Sequence, residues 1–102
     1  MLALRINITA YIADDCVECT FRDADNFEHT IHAPADLFGL DTNSLYPQEG
    51  FIACQFLGMY ERPNKKNVIL IDTASTWAIF TVDEKHQFEV WPEHLVDIDD
   101  VS

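Results

Sequence analysis

Apolar and polar side chains alternate with a period of two through most of this chain, which limits it to folds built from half-buried strands. In segment 2–12, Leu2, Leu4, Ile6, Ile8 and Ile12 share one parity, with Ala10 as the small inner member. Arg5, Asn7, Thr9 and Tyr11 occupy the other. An extended backbone points successive side chains to opposite faces, so one face is buried and the other meets water. Asp14-Asp15 interrupts the pattern, and 16–22 resumes it with Val17, Cys19 and Phe21 facing inward. Asp23-Ala24-Asp25-Asn26 then turns the chain into a strand over 27–32. A four-residue loop would set Phe21 opposite Glu28. A three-residue loop, Ala24 to Asn26, pairs 21 with 29 and 19 with 31, so Phe21, Cys19 and Val17 join Ile31 on one face. That register is preferred, and it puts Asn26 in the left-handed conformation that Asn tolerates.

Residues 33–50, punctuated by Pro34, Gly39, Pro47 and Gly50, read as a long connection with one helical turn at 36–40. Long connections often bind ligands, but a crossover between sheet halves is the simpler reading. Segment 51–61 is apolar on both parities, as in a central strand, and the turn 62–67 leads to a partner over 68–72. Segments 77–82 and 87–91, joined by Glu84-Lys85-His86, read as a third hairpin that pairs 82 with 88 and 80 with 90. Ala78, Phe80, Val82, Phe88 and Val90 then share a face. Pro92 opens a helical turn over 92–96. The expectation is a single all-β domain over 1–102. It has about seven mostly antiparallel strands in a small barrel or two-sheet sandwich, with at most one or two short helical turns.

Composition narrows the function. Seven Phe, three Tyr and two Trp in 102 residues supply a core that an acidic disordered segment lacks. Eighteen carboxylates against six Lys and Arg leave a net charge of −12. No basic stripe is available to neutralise phosphates, so direct nucleic-acid binding is excluded. Three glycines provide no phosphate-cradling loop. No run approaches the roughly 18 apolar residues of a membrane span, and the N-terminus lacks the basic start and continuous apolar stretch of a signal peptide. The odd set Cys16, Cys19 and Cys54 fits reduced thiols in the cytoplasm. Cys16-Val-Glu-Cys19 has metal-like spacing, but the two thiols have opposite parity and point to opposite faces of a strand. His29 falls on the inner parity and reads as a core histidine, and His86 as a solvated hairpin tip. No nucleophile, base or metal set is spaced for catalysis, so neither an enzyme nor a cofactor is expected.

The carboxylates gather at turns and ends. Asp14, Asp15, Asp23, Asp25, Asp97, Asp99 and Asp100 are therefore candidate partner contacts, with a field able to steer a cationic macromolecule. A charge of −12 exceeds the magnitude of about 2–8 that solubility asks of a small domain. Trp77 and Trp91, opposite in parity to Phe80 and Val90, are expected as neighbours on the outer face and as interface anchors.

The overall character, with the stretches Val17-Glu-Cys-Thr-Phe-Arg-Asp-Ala-Asp and Tyr46-Pro-Gln-Glu-Gly-Phe-Ile-Ala-Cys, resembles the immunity proteins of bacterial toxin–immunity pairs. These include the immunity proteins of contact-dependent growth inhibition. The resemblance implies a cytoplasmic, monomeric, stoichiometric inhibitor that binds a cognate toxin protein, a basic nuclease domain, and covers its active site. It assigns no residue roles. Two alternatives stay open: a β-barrel holding a small ligand between its sheet and the 33–50 loop, and an accessory subunit that pairs with itself through an exposed strand edge.

Overall fold

A computed structural model describes residues 1–97. The expected all-β architecture is present: eight strands form two antiparallel sheets, with three short helical turns between them. Strands β1 (Leu2–Tyr11), β2 (Cys16–Arg22), β3 (Glu28–Pro34) and β4 (Gln48–Ala53) make the larger sheet in the order β3-β2-β1-β4. This is a Greek key, in which three hairpin-connected strands are followed by one that returns beside the first. The long connection is that return. Its irregular part is shorter than expected, because β3 runs on to Pro34 and a 3-10 turn occupies Ala35–Phe38, closed by left-handed Gly39 (φ 66°). Strands β5 (Gln55–Glu61), β6 (Asn67–Asp72) and β7 (Gln87–Val90) form the second sheet, in the order β5-β6-β7. Strand β8 (Leu95–Asp97), after a 3-10 turn at Pro92–His94, pairs with Leu2–Leu4 of β1.

The β2–β3 hairpin has the expected register, with Phe21 opposite His29, Cys19 opposite Ile31, and Asn26 left-handed at φ 65°. Leu4, Ile6 and Ile8 of β1, Val17, Cys19 and Phe21 of β2, and Ile31 and Ala33 of β3 meet Ile71, Phe88 and Val90 of the second sheet in one core. Each fully buried aliphatic or aromatic side chain there contributes about 1.5–3 kcal/mol.

Four expectations are corrected. Thr9 is an extra residue in β1: Ile8 faces Cys19, but Ala10 faces Glu18. This bulge flips the parity beyond it, so Tyr11 packs on the core, Ala10 is half-buried and Ile12 is exposed. Next, 51–61 is not one central strand. It crosses from sheet to sheet at Cys54, whose N–H donates to Leu2 at 3.0 Å, and its second half becomes the edge strand β5. Finally, 77–82 makes no hairpin with 87–91, because β7 pairs with β6 instead. Residues Ala74–Trp77 form a single helical turn, α1, and Ala78 is left-handed at φ 54°. Thr73 gathers the segment, accepting from Ile79 N–H and donating its hydroxyl to Ile79 O at 2.8 Å. Phe80 and Val82 are consequently exposed rather than inside. His86 is no free tip either, since its Nδ1 lies 3.1 Å from Asp72 Oδ1. Among the described residues no helix is long and apolar enough to cross a membrane.

Candidate partner-binding surface

One end of the larger sheet is acidic. The β1–β2 connection is a tight turn closed by Cys16 N–H on Ala13 O at 3.0 Å, with Asp14 and Asp15 both left-handed (φ 55° and 60°). That is the backbone of a type I′ turn, where Asn and Gly are the least strained residues. Two aspartates here display carboxylates at a conformational cost. Asp15 O also accepts from Ala35 N–H at 2.7 Å, which brings the exposed Asp36 beside the turn. Tyr11 donates to Asp15 Oδ1 at 2.9 Å, and this bond to a carboxylate raises the phenol's pKa. Asp14, Asp15 and Asp36 have no salt-bridge partner among the described residues.

The β2–β3 turn at the other end uses its acids differently. Asp23 Oδ1 accepts from the N–H groups of Asp25 (2.9 Å) and Phe27 (3.1 Å), and Oδ2 lies 2.7 Å from His29 Nε2. The side chains of Asp23 and His29 are only 14% and 11% exposed, and the His29 ring packs between Phe21 and Phe88. His29 is thus the satisfied core histidine expected, and Asp23 is committed to folding the hairpin. Burial opposes ionisation of Asp23, but the His29 contact and the two backbone donors outweigh it and hold its carboxyl below the ordinary value. A carboxyl lowered in this way adds stability above its unfolded pKa near 4, and that stability drains as pH falls through the folded value. Asp23→Asn is expected to cost about 1–3 kcal/mol at neutral pH. It should also make stability fall less steeply below about pH 4. Urea unfolding at several pH values checks both, and an unchanged acid slope would remove Asp23 from this role.

Asp25, exposed, meets Arg62 of the β5–β6 turn at 2.8 Å, and Arg62 also bonds Glu89 at 2.7 Å. The guanidinium stands 5.5 Å from the Trp91 ring centroid and Lys66 5.8 Å from it. So Asp25 and Trp91, picked separately from the sequence, belong to one cluster assembled by Arg62. Trp77 is elsewhere: it ends α1 and packs against the core, and the pairing that would have set it beside Trp91 is not formed. Asp97 accepts from the N-terminal ammonium at 3.0 Å. Asp99 and Asp100 lie outside the described residues.

The arginines are all answered from within. Besides Arg62, Arg5 pairs with Glu49 (3.5 Å) and Arg22 with Glu28 (3.8 Å). These two flank an open groove of about 390 Å³, where neither β2 nor β8 pairs with Arg5 or Ile6 of β1 and His94 Nδ1 is buried without a hydrogen-bond partner. A second open groove, of about 370 Å³, runs beside Lys66, Trp91 and Glu93. Both are lined by charged groups, whereas a third open groove, of about 320 Å³ between the sheet and the 33–50 connection, is lined mainly by Ile8, Leu37, Phe38 and Phe51. Cys16 is half-exposed and Cys19 fully buried, on opposite faces of β2. Burial, with the nearby Glu18 charge, pushes the Cys19 thiol up to about 12, and burial alone takes Cys54 to about 11. Such thiols stay protonated and unreactive. Among the described residues no three His, Cys, Asp or Glu side chains group as metal ligands.

Sequence reasoning missed Arg62, Glu89 and the outward side chains of β5, and it counted Asp36 among the turn carboxylates without making it a candidate contact. Arg62 and Asp25 are 37 residues apart, and only the fold joins them. Asp36 carried a usable signal: it stands two residues after a strand whose register sets Cys16 opposite Pro34. No family model, curated protein or solved structure matches this chain.

Proposed function

We propose that this protein is a stoichiometric inhibitor acting in the cytoplasm, binding a cognate toxin whose basic nuclease domain it covers, and not a catalyst. One observation carries the reading. The arginines are consumed by the chain's own carboxylates, while Asp14, Asp15 and the nearby Asp36 are exposed and have no cation among the described residues. Solubility alone does not ask for this arrangement, and the left-handed aspartate pair is held at a local cost, as backbone strain at binding surfaces is. A nuclease cleft is positive because it holds phosphates. A concentrated anionic end steers toward it and forms desolvated charge pairs there.

The test uses a basic nuclease toxin domain, sought first in any large secreted protein encoded beside this chain. The reading expects inhibition that saturates at one copy per nuclease, with an association rate that falls as salt rises. The triple variant Asp14→Lys, Asp15→Lys, Asp36→Lys is expected to associate at least about tenfold more slowly, with a flatter salt dependence. Stopped-flow association measures both. Equal rates for the variant and the natural protein would end the steering argument.

A further inference from the structure

Strand β5 is an edge that the described residues leave open. Two of the other edges are engaged, and a third carries buried side chains. β3 is bridged by Thr81 opposite Ile31, with Val82 N–H donating to Thr30 O at 2.9 Å. β7 receives Ala24 N–H on Glu89 O at 2.8 Å, and β4 has Gly50, Ile52 and Ala53 buried. β5 pairs only with β6 and has no buried residue. Its Phe56, Leu57, Met59 and Tyr60 are 52%, 40%, 58% and 45% exposed. Residues 55–60 also carry no charge, in a chain whose net charge is −12.

The direction of the free backbone groups follows from the hairpin. Arg62 N–H donates to Lys66 O at 2.9 Å, so Arg62 faces β6. Hydrogen bonding alternates along an antiparallel strand, so Tyr60 and Gly58 also face β6, and Met59 and Glu61 present N–H and C=O outward. Long, open, apolar edges invite pairing with another strand.

We infer that two copies of this chain pair through β5, antiparallel about a twofold axis at Met59, joining two three-stranded sheets into one. The second copy is favoured as occupant by charge and by fit. Two such acidic chains repel each other through their carboxylates, and this apolar stretch carries none. It also offers a cationic partner no acid before Glu61. In this register Met59 meets Met59 as a hydrogen-bonded pair, and Tyr60 lies over Gly58 of the other copy, where side chains come closest. Glu61 meets Leu57, so no like charges are opposed. A twofold at Glu61 would set carboxylate against carboxylate. The Leu57 bulge ends the paired stretch, which runs from 57 to 61 on each copy, and the twofold closes it, so the product is a dimer and not a fibre. The interface is at the small end for specific contacts, on the order of 1,000 Å² in total, and its dissociation constant falls in the micromolar to millimolar range.

Sedimentation equilibrium on the full chain at up to about 1 mM tests this. The expected mass rises from 11.7 kDa toward twice that, and rises further with salt, because screening relieves the repulsion between like net charges. Toxin binding has the opposite salt sign, so failure of one reading is distinguishable from failure of the other. Met59→Pro removes an outward N–H without breaking a β5–β6 bond, and Met59→Lys sets two cations face to face. Both are expected to stay monomeric with far-ultraviolet circular dichroism unchanged. A natural protein that remains at 11.7 kDa, or a folded Met59→Lys that dimerises as well as the natural protein, overturns the inference.

Discussion

Replacing Gly50 by valine is expected to destabilise the protein by about 3 kcal/mol, the upper range for overpacking a core. That corresponds to a fall in Tm of about 12–24 °C for a domain this size. Gly50 sits in β4 opposite Ile6, and its backbone is ordinary strand, so conformational freedom is not the reason for glycine here. The reason is space. A Cβ at this position would stand 2.5 Å from Ile8 Cδ1 and 3.1 Å from Ile8 Cγ1. Ile8 is 1% exposed and walled in by the core, so its side chain has little room to swing. Valine adds two further methyls. Truncating the obstruction should restore part of the loss, so Gly50→Val with Ile8→Ala is expected to be more stable than the two single losses summed. Thermal and urea unfolding of the four chains in this cycle measure the coupling. Strict additivity would mean that the clash lies somewhere other than Ile8.

Gly50 illustrates what was legible in the sequence. It reads as punctuation at the end of a loop, yet it is interior to a strand, and its role appears only when β1 is laid beside β4. The β2–β3 hairpin was legible because loop length and inner parity demand the same register. The far half of β1 was not, because the Thr9 bulge, where Thr9 Oγ1 donates to Glu18 O at 3.1 Å across the hairpin, shifts the parity without disturbing the composition. Segment 51–61 misled for a different reason. Apolar side chains on both faces are the mark of a buried central strand and also of an edge kept for a partner, and alternation has no way to separate them.

The candidate surface was legible in sign but not in detail. Counting carboxylates finds an anionic protein, and turn positions find most of the acids that matter. Counting does not show that Asp23 is spent on two backbone amides and a histidine, that Asp25 is bound by an arginine far along the chain, or that Asp97 holds the N-terminus. Asp14 and Asp15 remain exposed at the tip of a two-residue turn with both residues left-handed, where Asp15 meets Tyr11 but no cation among the described residues.

Thr73→Val is expected to cost about 1–3 kcal/mol although the two side chains are nearly the same shape. Thr73 is fully buried, and its hydroxyl donates to Ile79 O at 2.8 Å and, more weakly, to His86 O at 3.3 Å. Its own N–H already serves His86 O, so the valine chain chiefly strands the Ile79 carbonyl. That single hydroxyl decides between two structures for 74–86. Trp77-Ala-Ile-Phe-Thr-Val82 has strand-like composition, but the observed fold turns it back so that Thr73 bonds Ile79 O. Folding the segment around Thr73 instead exposes Phe80 and buries Ile79. Phe80→Ser therefore serves as the companion measurement. In a hairpin with Phe80 inside, it would cost about 3–5 kcal/mol. With Phe80 46% exposed and its ring edge-on to His86 at 5.4 Å, the expected change is only about 0.5–1.5 kcal/mol. Hydrogen exchange adds a local reading of Thr73→Val. The amides of Ile79, Thr81 and Val82, which donate to Thr73, Lys85 and Thr30, should lose protection before those of β1 and β2 do. If Phe80→Ser proves costly and Thr73→Val silent, the segment is a strand after all, and the bridge from Thr81 to Ile31 that covers the β3 edge goes with it.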